Sequence, residues 1–400
     1  MKSLLAVFTV VACSAAIATL VSCGGGSGSS SSGASPPVQS SFTPTALVSD
    51  GAVAAPHIDS NLKNPWGVAF NPKGFAWVAD NGTNVATLYD GNGVPQSLIV
   101  AIPNGMNGTA SPTGIVFNGT QSFTVTENGK SGVAAFIFAG EGGSITAWAP
   151  AVGPTNAFVM YDDGTGGAVY KGLALATMNN NNFLYATDFH NNKIDVFNTS
   201  FKKVAMPGTF TDPAIPAGFA PFGIQAIGSN LFVTYAMQDS AKHDDVAGAG
   251  LGMIDVYDTA GNLKQHFATG APLNAPWGIA QAPANFGTMS GAILIGNFGD
   301  GTINAFNASS GRSMGPLSGS NGSSIVEHGV WGIGFGNDVS NQPSSTLFFA
   351  AGPNDEANGV YGRIDLSPAS SAGASTGSGT GTSAGSGAGT SAGGGMGVGM

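Results

Sequence analysis

Pro65-Trp66-Gly67-Val68-Ala69-Phe70 returns five more times along the chain in altered form, and that return decides the fold. The copies are Pro112-Thr113-Gly114-Ile115-Val116-Phe117, Tyr170-Lys171-Gly172-Leu173-Ala174-Leu175, Pro221-Phe222-Gly223-Ile224, Pro276-Trp277-Gly278-Ile279-Ala280 and Val330-Trp331-Gly332-Ile333-Gly334-Phe335. Successive marker glycines stand 47, 58, 51, 55 and 54 residues apart. A second signature follows the first: a strand, a polar turn, then a strand rich in β-branched and aromatic residues. FAWVAD-NGTN-VATLYD from Phe75, FLYATD-FHNN-KIDVF from Phe183 and AILIGN-FGDG-TINAF from Ala292 are examples. Alternation and Asn/Gly/Asp turns make these segments strands. No stretch keeps a 3.6-residue apolar period, so helix is expected to be nearly absent.

Four short strands in each unit of about 50 residues describe a propeller blade. The expected fold is therefore all-β, a six-bladed β-propeller with four-stranded blades. Inner strands crowd around a central channel, and glycine there lets backbones approach. The tryptophans of the repeat are expected as wedges between blades. The last unit lacks a fourth strand after Leu366, and Thr45 to Asp50 is a strand without a blade. The N-terminal strand should complete the last blade and so close the ring, leaving no edge to aggregate.

Composition limits the function. The chain has 63 Gly, 12 Lys+Arg and 22 Asp+Glu, with a net charge of −10. That balance argues against a nucleic-acid partner. The two cysteines form no C-x-x-C pair for zinc or redox work. The apolar run Leu4 to Leu20 ends in Leu20-Val21-Ser22-Cys23, the pattern of a bacterial lipobox. This reads as a lipoprotein signal peptide over 1–22, removed on processing. Cys23 is the lipidation site, and 23–44 is a Gly/Ser-rich linker. The propeller spans 45–366, and 367–400 is a low-complexity Gly/Ser/Ala tail. A monomer anchored by lipid in the bacterial cell envelope, facing the periplasm or the exterior, is the expectation.

The motifs NPWGVAFNPKGFAWVADNGTNVATLYDGNG, YKGLALA, DDVAGAGLG, NAPWGIA, GNFGDGTINAF and GPNDEANGVYG resemble a family of secreted bacterial proteins. That family is expected to form NHL-like propellers, and some members end in a PEP-CTERM sorting tail. The resemblance covers about 45–366 and implies a fold and a compartment, with no catalytic residue to carry over. The C-terminus departs from the sorting pattern, lacking its Pro-Glu-Pro, apolar span and basic end.

In a four-stranded meander the loop between second and third strands shares a face with the connection to the next blade. Sorting residues this way puts His57, His190, His243 and His328 on one face, with most of the acids, among them Asp80, Glu141, Asp188, Asp244, Asp245, Asp355 and Glu356. Lys63, Lys171, Lys193 and Lys242 are the lysines there. The candidate metal ligands are His57, Asp80, Asp188, His190, His243, Asp244, Asp245 and Asp355. His190 follows a clean strand, either as a ligand or base or as a loop residue bonded to backbone. His243-Asp244-Asp245 lies in the longest insertion, Tyr235 to Gly252, and offers oxygen and nitrogen donors to calcium or a transition metal. Asp80, Asp188, Asn297 and Asn354 sit at or near equivalent positions in their blades, which serves either convergence on the axis or turn formation.

Two functions follow. One is a non-catalytic scaffold binding an envelope polymer, a protein or a small-molecule ligand. The other is a metal-dependent hydrolase or lyase, with a divalent ion such as calcium at the channel mouth held by His57, Asp80, His190 and Asp355. No nucleophile–base motif is legible, and the first reading is preferred.

Overall fold

The computed structural model describes residues 39–368. The signal peptide, Cys23, most of the linker and nearly all of the tail lie outside them. Six antiparallel sheets surround a channel, five of four strands and one of five. Their inner strands are Pro65–Phe70, Pro112–Phe117, Tyr170–Met178, Phe219–Ile227, Pro276–Gln281 and Val330–Phe335. The protein is a six-bladed β-propeller, and its described residues contain no α-helix, only three single-turn 3-10 segments.

The marker glycines have a shared cause. A Cβ on Gly67 would come 2.6 Å from the carbonyl oxygen of Thr113, and one on Gly172 2.8 Å from that of Phe222. Gly114 meets the Leu173 amide in the same way, and Gly223, Gly278 and Gly332 meet the carbonyls of Trp277, Trp331 and Trp66. Each glycine thus lies against the next blade's inner strand, and the contacts run once around the ring. A side chain at any of them would push two blades apart.

Closure follows the expected route. Phe42–Ser49 pairs antiparallel with Val360–Leu366, from Phe42 opposite Leu366 to Ser49 opposite Val360. His57–Ile58 then pairs in parallel with Val48 and Ser49, so blade 6 has five strands where four were expected. The extra residues of blade 2 form a separate hairpin, Thr124–Glu127 with Lys130–Val133. Its Val125 is buried with Phe123 against Ala134 and Ile137.

The repeat tryptophans are not wedges between blades. Trp66 stacks on Trp331 with ring centroids 3.5 Å apart, and Trp277 meets both edge-on at 5.6 and 5.8 Å. Phe222 adds a fourth ring, 6.3 Å from Trp66 and 5.8 Å from Trp331. Blades 1, 4, 5 and 6 can touch in this way only at the axis, so these rings plug the channel at the leading end of the inner strands. The wedge role falls to Trp77 and Trp148, which pack on Phe136 between blades 1 and 2.

Candidate functional site

The residues before five of the six marker glycines, Trp66, Lys171, Phe222, Trp277 and Trp331, meet at the axis, whereas Thr113 Oγ1 donates to the carbonyls of Ala139 and Tyr170. Lys171 therefore brings a charge into an aromatic plug. Its side chain is 1 % exposed, and its Nζ lies 5.0 Å from the centroid of the Trp66 ring. Trp277 Nε1 donates to the Lys171 carbonyl at 3.1 Å, and Trp331 Nε1 donates to Asn64 Oδ1 at 3.2 Å, which fixes the plug.

A buried ammonium needs anions. Lys171 Nζ donates to Glu141 Oε1, in the turn between second and third strands of blade 2, and at 3.2 Å to Asp244 Oδ1 of the long blade 4 loop. Asn81 Nδ2 donates to the other Glu141 oxygen at 2.8 Å. Burial works to strip Lys171 of its proton, but the Glu141 and Asp244 charges outweigh it and raise its pKa. His243 Nδ1 lies 2.9 Å from Asp244 Oδ1. That bond raises the imidazole pKa and, with Lys171, holds the Asp244 carboxyl down at about 2.

Two further acids join this mouth. Burial pushes Asp245 up to about 7, against the pull of Lys171, and Glu356 adds repulsion. Glu356 is itself raised by burial and by the Glu141 charge. Asp245 Oδ2 and Glu356 Oε1 are buried without a hydrogen-bond partner. Glu356 also ends three consecutive left-handed residues, Asn354, Asp355 and Glu356, at φ 58°, 50° and 64°. Such backbone costs energy for residues other than glycine, and strain of this kind gathers at functional loops.

Of the sequence candidates, the fold brings His243, Asp244 and Asp245 to this mouth. His57 sits in the outermost strand of blade 6, the fifth counted from the channel. Asp80 is fully buried and raised well above the usual carboxylate range by burial, accepting from Thr87 Oγ1 at 2.8 Å. Asp188 accepts from the Val169 amide and from both nitrogens of Asn191, which organises its turn. His190 is half-buried beside Gly167, and its carbonyl accepts from Gln238 Nε2. Asp355 is exposed on the strained loop. The proposed central set of His57, Asp80, His190 and Asp355 is thus not assembled. Asn297 bonds Pro272, Asn274 and Thr302, a turn role like that of Asp188. Asn354 is not the equivalent of these residues, because Ala351 faces Val330 at that register.

Glu141, Lys171 and Glu356 come from three different blades, and the sequence alone does not show that they form one cluster. The available signal is Lys171 itself, standing where four of the other five repeats carry Trp or Phe. Among the described residues two groups bring metal-type ligand atoms within 4.8 Å of one another: Glu141, His243 and Asp244, and Asp212, Asp255 and His266. The second lies in the outer half of blade 4, where His266 Nδ1 is 2.7 Å from Asp212 Oδ2 and 3.5 Å from Asp255 Oδ1.

No family model matches the chain. Proteins of Acanthamoeba polyphaga mimivirus do. "Uncharacterized protein R648" is 31 % identical over 80 % of this chain and 78 % of its own length. "Uncharacterized protein L690" is 31 % identical over 80 % of this chain and 84 % of its own. Among solved structures, the soluble aldose sugar dehydrogenase of Escherichia coli in its apo form superposes with a TM-score of 0.50. It covers 82 % of this chain and 100 % of that one, at 12 % identity, a likeness of fold alone. The expected membership in a secreted bacterial family is corrected by these findings, since the relatives are proteins of a giant virus. The repeat motifs gave the propeller correctly but reported architecture rather than source. The chain belongs to the family of the mimivirus proteins R648 and L690.

Proposed function

We propose that this propeller is a binding protein that takes a cationic group at its acidic axial mouth. The carrying observation is the pair of buried, unpartnered oxygens, Asp245 Oδ2 and Glu356 Oε1, beside a lysine already engaged by Glu141 and Asp244. Four carboxylates face one buried ammonium, and an arriving cation relieves their repulsion while bonding to the unpaired oxygens. Calorimetric titration with calcium, zinc and manganese chlorides and with a primary diamine tests the reading. Saturable binding that the Asp245→Asn, Glu356→Gln double variant loses supports it. No binding by any of the four removes it.

A second reading, a metal-dependent hydrolase or lyase, is favoured by the approach of Glu141, His243 and Asp244. Lys171 Nζ already occupies the space between two of these ligands, so a metal there must displace a buried ammonium. Zinc or manganese binding coupled to lactone or ester hydrolysis, abolished by His243→Ala, would establish it. The tether is part of the same proposal: Cys23 attaches the propeller to a membrane by lipid. Cys23→Ala should move the protein to the soluble fraction, and a variant that stays with membranes would remove the lipobox reading.

A further inference from the structure

The far end of the channel differs in kind from the acidic mouth. There the trailing halves of all six inner strands surround a cavity of about 540 Å³. Inward it narrows to a collar of about 40 Å³ lined in part by Gly67, Gly114, Gly278 and Gly332, with Trp277 of the plug at its floor. The cavity is therefore blind. Phe70, Phe117, Ile227 and Phe335 contribute partly buried apolar surface, and Gln225 and Gln281 put two exposed amides in the same wall. No residue lining it is ionisable. Each inner strand is the terminal strand of its sheet, so its channel-side N–H and C=O groups have no ladder partner.

We propose that this vestibule is a second binding site, for a compact neutral molecule with an apolar body and carbonyl, amide or hydroxyl groups. Its volume falls within the range of about 300–1,000 Å³ that holds small organic ligands. An ion entering it would lose hydration with no opposite charge in the wall to replace it. A polymer segment cannot thread a channel closed by the tryptophan plug, so the occupant must fit whole. Apolar side chains take its body, while the free strand edges and the two glutamines take its polar groups. This site is independent of the cation reading, because no residue is shared between the two mouths.

Fluorescence titration with N-phenyl-1-naphthylamine, an uncharged dye that brightens in apolar surroundings, tests it on the purified protein. Saturable binding of one dye per chain is expected. Gln225→Trp, at an exposed position, fills the vestibule and should weaken binding by about tenfold or more. Ile227→Trp is the companion variant should the first fail to fold, with circular dichroism as the control. Asp244→Asn with Asp245→Asn, at the opposite mouth, should leave the dye affinity unchanged. A signal that does not saturate, or equal affinity in a folded tryptophan variant, overturns the proposal.

Discussion

The two ends of one channel are built from the same six strands and carry opposite chemistry. At the leading end, loops and one tight turn deliver Glu141, Asp244, Asp245 and Glu356 over a plug of Trp66, Trp277, Trp331 and Phe222. At the trailing end the connections range from two-residue turns to the hairpin of blade 2, and no ionisable group lines the cavity. The repeat sets the strands, whereas the loops set the charge. Lys171 is the exception, a charge placed by the repeat itself, and it gives the most direct way to break the contrast.

Lys171→Met should have the largest effect. It removes the one buried lysine or arginine among the described residues and leaves Glu141 and Asp244 facing two further carboxylates, a loss of about 3–5 kcal/mol for an orphaned buried charge. Urea unfolding at pH 8 is the measurement. The deficit should shrink at pH 5, because Asp245 and Glu356, with pKa values raised by burial, take up protons and reduce the repulsion. A deficit that grows on acidification would mean that the mouth is not held together by this charge balance.

Asp245→Asn should act in the opposite direction. The folded-state pKa of about 7 lies above the ordinary 3.8. Stability tied to this group is therefore fully present below 3.8 and lost as pH rises through 7. At pH 8 the wild type carries a buried charge that Asn lacks, so the variant should be more stable by about 2–4 kcal/mol. Near pH 3.5 the two proteins should melt together. A variant stabilised equally at both pH values would point to packing rather than ionisation.

The sequence made the ring legible because each marker glycine answers one repeated backbone contact, which leaves a fixed spacing. Closure by the N-terminal strand was legible because one blade was a strand short. The site was only half legible. Asp244 and Asp245 stood out in a long loop, but Glu141 and Glu356 come from other blades and meet them only after the ring closes. Asn354 misled because loop length, three residues past Ala351, imitated a register position. The Asp212–Asp255–His266 group depends on a linker folding back over an outer strand, which no local pattern records. The apolar vestibule was hidden differently: Phe70, Phe117 and Phe335 read as ordinary strand core.

His243→Gln should give the smallest change, and its size separates charge placed at the rim from charge placed in the plug. The Asp244 hydrogen bond raises the imidazole pKa above 6.5. Its contribution is thus complete below 6.5 and disappears as pH climbs past the folded value. The ring is 47 % exposed, and Asp244 remains tied to Lys171 without it, so water screens most of the interaction. A loss below about 1 kcal/mol at pH 5.5 is expected, with none at pH 9. The ligand readout should be larger than the stability readout. Protonated His243 adds positive charge at the mouth, so replacing it should strengthen diamine binding at pH 5.5 and leave it unchanged at pH 9. Equal diamine affinity in both proteins at both pH values would place the cation deeper, against Asp245 and Glu356, where the rim imidazole is not felt.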